Sequence, residues 1–208
     1  MKEDGFYEEV IIAGFGGQGI VLVGRLLAQT AMKAGKEVTF MPAYGAEVRG
    51  GTSNCTVIIA DEPIASPLVS KPDSLIIMNK ASLNKFATRL KNGGLLVMNS
   101  SLIDPAAFLP AAPSCVGRRG GRRKQEAGEL ADTIDVLAVP ANDMAVELGN
   151  VKAANMVAVG AYLQRKGIFS ADAAADCLAD VLAKRYHKTL PVNTEALRRG
   201  AEFAENSR

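Results

Sequence analysis

Six residues, Gly14-Phe15-Gly16-Gly17-Gln18-Gly19, restrict the fold of this chain more than any other stretch. They follow the apolar run Val10-Ile11-Ile12-Ala13 and precede a segment with Ile20, Val23, Leu27 and Ala31 at helical spacing. A short apolar run reads as a buried parallel strand. The 3.6-residue period reads as an amphipathic helix, whose far side carries Arg25, Gln29 and Lys33. Gly35 is placed to end that helix, and Glu37-Val38-Thr39-Phe40 reads as the next strand. The spacing predicts a βαβ unit with a glycine-rich first turn. Glycines there permit a tight turn, let a ligand's phosphates approach, and expose the helix's unpaired N–H groups to an anion. A dinucleotide fingerprint also needs an acidic residue about 20 positions further on. The second strand ends instead in Phe40-Met41-Pro42, with no carboxylate.

The loop behind that strand is richer in chemistry than a turn requires. Pro42-Ala43-Tyr44-Gly45-Ala46-Glu47-Val48-Arg49-Gly50-Gly51-Thr52-Ser53 collects a tyrosine, a glutamate, an arginine and three glycines. In an open α/β sheet such loops lie at the carboxyl ends of strands, where ligands and partners meet the fold. Glu47 and Arg49 alternate, so an extended segment turns both to one face. Arg49 can hold a phosphate or carboxylate through two parallel hydrogen bonds, which lysine cannot reproduce. The plainer reading is a surface turn with an exposed ion pair.

Further along, residues 54–60 read as a third strand, Asp61-Glu62-Pro63 as a turn, and Ile64-Ala65 as a short returning strand. A fourth strand is predicted over 74–78 and a helix after Asn79-Lys80, with Leu83, Phe86 and Leu90 inward. Asn92-Gly93-Gly94 ends that helix, and a buried strand follows over 95–98. Residues 133–139 read as a last strand and 143–148 as a short helix. The segment 152–166 reads as a helix so apolar on all sides that it must be buried, with Asn155 needing a hydrogen-bond partner. Ser170 can cap the next helix, with Asp176, Asp180 and Lys184 on one outer stripe; a final helix is predicted over 191–206. This alternation predicts an α/β fold: a mainly parallel, Rossmann-like sheet with helices on both faces, in one domain over 1–208.

Gly14-x-Gly16-Gly17-Gln18-Gly19, then Pro42-x-Tyr44-Gly45-x-Glu47-x-Arg49-Gly50-Gly51-x-Ser53, then Ser66-Pro67 and Pro72-Asp73, resemble the gamma subunit of 2-oxoacid:ferredoxin oxidoreductases. The same polypeptide occurs as a domain of fused pyruvate:ferredoxin oxidoreductases. The resemblance continues through Glu147-Leu148-Gly149-Asn150, Ala154-Asn155-Met156 and Glu195-Ala196-Leu197, covering nearly the whole chain. It implies a subunit supporting coenzyme A-dependent oxidative decarboxylation of 2-oxoglutarate, pyruvate or a related acid, with electrons passed to ferredoxin in anaerobic metabolism. The implied partners are alpha and beta subunits, with a delta subunit and a homodimer of the isolated chain as further candidates. Thiamine diphosphate with Mg, coenzyme A and iron–sulfur clusters belong to the complex, none held tightly by this chain. The residues named in the glycine turn and the long loop are the expected cofactor-binding or interface set.

Composition agrees with a supporting role. Cys55, Cys115 and Cys177 are widely spaced, whereas cluster ligation needs grouped thiolates; each reads as a small buried apolar residue. With His187 as the only histidine and no nucleophile–base constellation, the chain is expected to hold no metal and to be inactive alone. The acidic start, Met1-Lys2-Glu3-Asp4, and the lack of a long apolar run predict a cytoplasmic protein without membrane contact. Residues 117–124 pack five cations into eight positions. A solvated loop is the preferred reading, because no aromatic is interleaved and Glu126, Glu129 and Asp132 follow; nucleic acid is not an expected partner. Two other classes stand beside the subunit reading. One is a free-standing nucleotide-binding dehydrogenase built on the glycine turn; the other is a non-enzymatic binding module built on the basic loop.

Overall fold

The first strand, β1 (Tyr7–Phe15), is buried on both faces. Val10 and Ile12 pack on one side, Ile11 and Ala13 on the other. Only an unbroken apolar run satisfies a strand in that position, and each fully buried branched side chain contributes about 1.5–3 kcal/mol. The structure, a computed structural model, describes residues 5–43, 52–107 and 134–207. Helix α1 (Ile20–Lys33) buries Ile20, Val23, Leu27 and Ala31 and exposes Arg25 and Lys33, as its period requires. After it come β2 (Glu37–Ala43), β3 (Thr52–Ala60), β4 (Ser74–Ile77), α2 (Lys80–Phe86), β5 (Leu95–Asn99) and β6 (Asp135–Val139). The chain closes with α3 (Ala141–Glu147), α4 (Ala154–Lys166), α5 (Ala171–Ala175), α6 (Leu178–Val181) and α7 (Leu190–Asn206).

The six described strands form one sheet in the order β2-β3-β1-β4-β5-β6. β1, β4, β5 and β6 are mutually parallel. β3 runs against both of its neighbours, so β2 again points the way of β1. Five of the six strands therefore share one direction, as expected for a mainly parallel α/β sheet. Helices cover both faces: α1, α3, α4 and α7 contribute to the core on the Val10 side, and α2 to that on the Ile11 side. The first βαβ unit departs from its simplest form, because β1 and β2 are not neighbours. The chain turns back after β2 and inserts β3 between them, setting Ser53 opposite Gly14 and Asn54 opposite Ala43.

Cys55 and Cys177 are buried free thiols, as expected, whereas Cys115 lies outside the described residues. Cys55 Sγ donates to Ile20 O at 3.3 Å, and burial pushes its thiol up to about 12.

Several local expectations are corrected. Ile64-Ala65 forms no strand; Pro63, Pro67 and Pro72 withhold N–H donors from this segment. Its carbonyls at Val69 and Ser70 accept from Arg89 instead. The helix expected to begin at 152 opens with a 3-10 turn, Val151–Ala153, capped by Asn150 Oδ1, which accepts from Lys152 N. Ser170 caps its helix as predicted, but that helix breaks into α5 and α6. Lys33 Nζ donates to Asp176 O at 3.2 Å, taking the carbonyl that a continuous helix would have used. Asp176, Asp180 and Lys184 remain exposed, without forming one helical stripe.

The tightest packing joins α4 to α7. A Cβ on Gly160 would lie 1.9 Å from Leu197 O, and one on Gly200 would lie 2.0 Å from Val157 O. The two backbones meet where neither carries a side chain. Gly200→Ala should lower the urea midpoint of the isolated chain by the equivalent of about 1–3 kcal/mol through overpacking. An unchanged midpoint would show that the crossing has slack. Iodoacetamide at mildly alkaline pH should leave Cys55 unmodified until denaturant is added, since a buried thiol at about 12 supplies almost no thiolate. Peptide mapping by mass spectrometry reads this directly, and native-state labelling would contradict the packing described.

Candidate functional site

From β1 the chain moves to one side of the sheet to build β2 and β3, then returns past β1 to build β4 on the other. At the carboxyl edge of the parallel strands, the connection from β1 leads to one side, toward β2, and that from the adjacent β4 leads to the other, toward β5. In open α/β sheets, the crevice at such a switch point, beyond the carboxyl ends of the strands, is where ligands bind. The glycine turn lies there. Gln18 holds it together: its Oε1 accepts from Phe15 N at 2.6 Å and Asn79 Nδ2 at 3.2 Å, and its Nε2 donates to Met78 O at 3.3 Å. One side chain straps the end of β1 to the end of β4. Gly14 is required beneath it, because an added Cβ would meet Gln18 Oε1 at 2.6 Å and Met78 Cβ at 3.0 Å.

Gly16 and Gly17 are exposed, and Gly17 and Gly19 take positive φ values of 93° and 72°. Gly19 is the N-cap of α1, so no side chain caps this helix, and its first turn carries no acidic residue. The N–H groups at its start therefore face the carboxyl edge of the sheet with their partial positive charge uncompensated, an arrangement suited to an anion.

The N-terminal end of α4 meets this turn. Asn155 is buried, and its Nδ2 donates to Gly19 O at 3.5 Å, supplying the partner that the sequence demanded. Between the turn and α4 lies a cleft of ≈ 170 Å³ lined by Gln18, Met78, Asn142, Lys152 and Asn155 among others. Asn142 Oδ1 accepts from Asn99 Nδ2 at 2.8 Å, which ties the wall of the cleft to the end of β5. Among the described residues, the polar part of the lining is carboxamides with one cation, Lys152, and no carboxylate, while Met78, Val151 and Ala154 supply an apolar part.

Of the predicted site residues, Gly14, Gly16, Gly17, Gln18 and Gly19 are brought together, and Ser53 joins them from β3 opposite Gly14. Tyr44, Gly45, Glu47, Arg49, Gly50 and Gly51 lie outside the described residues, as do the cations of 117–124. The strands flanking the long loop are described: β2 ends at Ala43, and β3 begins with Thr52 opposite Phe15. Asn79, Asn99, Asn142 and Lys152 were not anticipated. Their signal was position: Asn99 ends β5, and Asn79 and Asn142 lie within three residues of the ends of β4 and β6. Asp73, part of the motif quoted above, is elsewhere. It joins Glu9 and Lys91 at the amino edge, with Lys91 Nζ at 2.8 and 2.9 Å from the two carboxylates. Burial acts to lower the Lys91 pKa, but hydrogen bonds to Asp73 and Glu9 outweigh it and raise it.

A dinucleotide reading of the turn fits poorly. No carboxylate ends β2, and the inserted β3 sets β2 about 10 Å from β1, twice the usual strand spacing. Among the described residues, no group of three or more His, Cys, Asp or Glu could hold a metal ion. No described helix is long and apolar enough to cross a membrane.

The family described as Pyruvate ferredoxin/flavodoxin oxidoreductase matches residues 9–203. This chain belongs to that family. It is 34% identical over 200 residues to a ketoisovalerate oxidoreductase subunit VorA of Methanothermobacter thermautotrophicus, covering 95% of this chain and 36% of the relative. It is 33% identical over 175 residues to a 2-oxoglutarate synthase subunit KorC of the same organism, covering 83% of this chain and 84% of KorC. Thus the chain spans about a third of the length of its ketoisovalerate relative and most of KorC. Among solved structures, the gamma subunit of a keto/oxoacid ferredoxin oxidoreductase from Geobacter sulfurreducens superposes with a TM-score of 0.72 at 26% identity. That match covers 96% of this chain and 99% of the subunit. A 2-oxoglutarate:ferredoxin oxidoreductase from Magnetococcus marinus shares the fold with a TM-score of 0.75 at 23% identity, this chain matching 31% of its length.

The contact between Gly19 and Asn155 can be tested within this family member alone. An added Cβ at Gly19 would lie 2.2 Å from Asn155 Nδ2. Gly19→Ala therefore incurs about 1–2 kcal/mol for a left-handed alanine, plus the clash. Replacing Asn155 by alanine in the same chain removes the clash only. A double-mutant cycle by urea denaturation should show the pair costing less than the sum of the singles, by about 1 kcal/mol. Strict additivity would mean that the two residues do not meet.

Proposed function

We propose that this chain is the gamma-type subunit of a multi-subunit 2-oxoacid:ferredoxin oxidoreductase, acting as one domain and contributing its carboxyl-edge cleft to the coenzyme A site. The observation that carries this reading is the family match over 9–203 together with the near end-to-end likeness to a solved gamma subunit. The cleft supports the coenzyme part. Phosphates suit an uncapped helix N-terminus whose first turn carries no acidic residue, and Lys152 adds a cation on the cleft. Coenzyme A, when bound, supplies the thiol that accepts the acyl group. This chain's part is to bind and orient it through the α1 N–H groups, Lys152 and the carboxamides of Asn142 and Asn155.

Thiamine diphosphate with Mg and the iron–sulfur clusters are assigned to partner alpha, beta or delta subunits, and ferredoxin to the assembled complex. Relatives with different substrates in their names share this domain: ketoisovalerate, 2-oxoglutarate and, at 26% identity, indolepyruvate. A branched, a dicarboxylic and an aromatic acid have little in common beyond the 2-oxo group, which favours acid selection by other subunits.

Expression of the tagged chain in its source cell should recover partner subunits, and the complex should reduce ferredoxin in the presence of coenzyme A and a 2-oxoacid. The isolated chain should show no iron–sulfur absorbance and no 2-oxoacid-dependent dye reduction. Within the complex, Arg49→Lys should lower turnover at least about tenfold through loss of a two-pronged contact. Its effect on the stability of the isolated chain should stay below about 1 kcal/mol. Unaided activity of the isolated chain would reject the subunit reading. Wild-type turnover, Michaelis constants and assembly in Arg49→Lys would remove the long loop from the site.

A further inference from the structure

A second polar group lies at the opposite edge of the sheet, around a buried carboxylate. Glu8 is buried near the start of β1, on the same side of the strand as Val10 and Ile12. Its Oε1 accepts from Ser74 Oγ at 2.6 Å and from Tyr162 OH at 3.2 Å, and its Oε2 pairs with Lys166 Nζ at 2.8 Å. Burial first, and the Glu8 charge second, raise the Tyr162 phenol well above its ordinary pKa, so it remains a donor.

Tyr162 and Lys166 belong to α4, the helix that carries Asn155 at its other end. Asn155, Tyr162 and Lys166 are seven and four residues apart, which on an α-helix returns them to one face within an arc of about 40°. Eleven residues of helix rise about 16 Å, most of the roughly 20 Å that β1 spans between Glu8 and Gly14. The helix runs from the cleft to the amino edge, with polar contacts at both ends. Between them its surface is buried and apolar, and Gly160 sets where it crosses α7; the polar contacts at its two ends hold the face turned toward β1 and α1. A slip of one residue turns the helix by about 100° and removes Tyr162 and Lys166 from Glu8, leaving the buried carboxylate with Ser74 but without its cation.

We propose that Glu8, Tyr162 and Lys166 are positioning residues that, together with the Gly160–Gly200 crossing, set the rotation and axial register of α4, and so hold Asn155 against Gly19 at the mouth of the cleft. The functional consequence rests on the cleft being the coenzyme A-facing site; the register lock itself does not.

The test uses the full chain and the assembled complex. Tyr162→Phe removes one donor about 10 Å along the helix from Asn155. Amide NMR of the full chain should show shifts at Gly19 to Leu22 and at the Asn155 side-chain amide. Leu163→Val, a neighbouring buried substitution outside the polar cluster, should lower stability without moving them. If Tyr162→Phe fails to fold, Lys166→Met, altering a partly exposed partner, should move the same signals. In the complex, Tyr162→Phe should raise the KM for coenzyme A about fivefold with kcat within about twofold. Added to Asn155→Ala, it should cause no further rise. Unchanged signals at Gly19 to Leu22 and Asn155, with stability falling as in Leu163→Val, would overturn the lock. Displaced signals with an unaltered KM would leave the lock standing and reject the coenzyme A reading of the cleft.

Discussion

A helix that begins with a left-handed glycine cannot cap itself with its own side chain, and the carboxyl edge of this protein is arranged around that fact. Gly19 opens α1 with its N–H groups unanswered by any cap. Gln18 folds back to secure the turn, Gly14 leaves room for it, and Asn155 closes over Gly19 from α4. No described carboxylate lines the cleft beside them. Among the described residues, nothing neutralises the positive end of α1, which leaves it suited to an anion.

Much of this was legible in the sequence, for physical reasons that can be stated. The strand–turn–helix of 10–33 combines a change of period with glycines, and both signals are local. Asn155 stood out because a polar residue in an all-apolar helix must find a partner, and it does. Glu8 obeys an equally simple rule that was passed over: it shares the parity of Val10 and Ile12, so a strand starting there had to bury it. Other features had no local signal. Nothing in residues 52–60 says that they lie between β1 and β2, because neighbour order is a property of the whole sheet. The break between α5 and α6 is answered from about 140 residues earlier, where Lys33 donates to Asp176 O.

The motifs that suggested the family serve different physical ends. Gly14 to Gly19 and Asn155 meet at the cleft, Asp73 neutralises Lys91 at the far edge, and Leu197 supplies the backbone against which Gly160 packs. A family signature is therefore not a map of a site. Part of it records chemistry and part records how closely two helices must approach for that chemistry to be held in place.

The insertion of β3 also bears on how the chain is made. During synthesis, β1, α1 and β2 emerge before β3, and a direct β1–β2 pair is the parallel arrangement that this helix crossover most readily forms. In the finished sheet that slot belongs to residues 52–60. Such an early pair must open before β3 can enter, whereas a β2–β3 hairpin formed first can add to β1 as a unit. The order of assembly that avoids the trap is hairpin before crossover. The glycine turn then acquires its strand neighbour on the β3 side only after the second hairpin strand has left the ribosome.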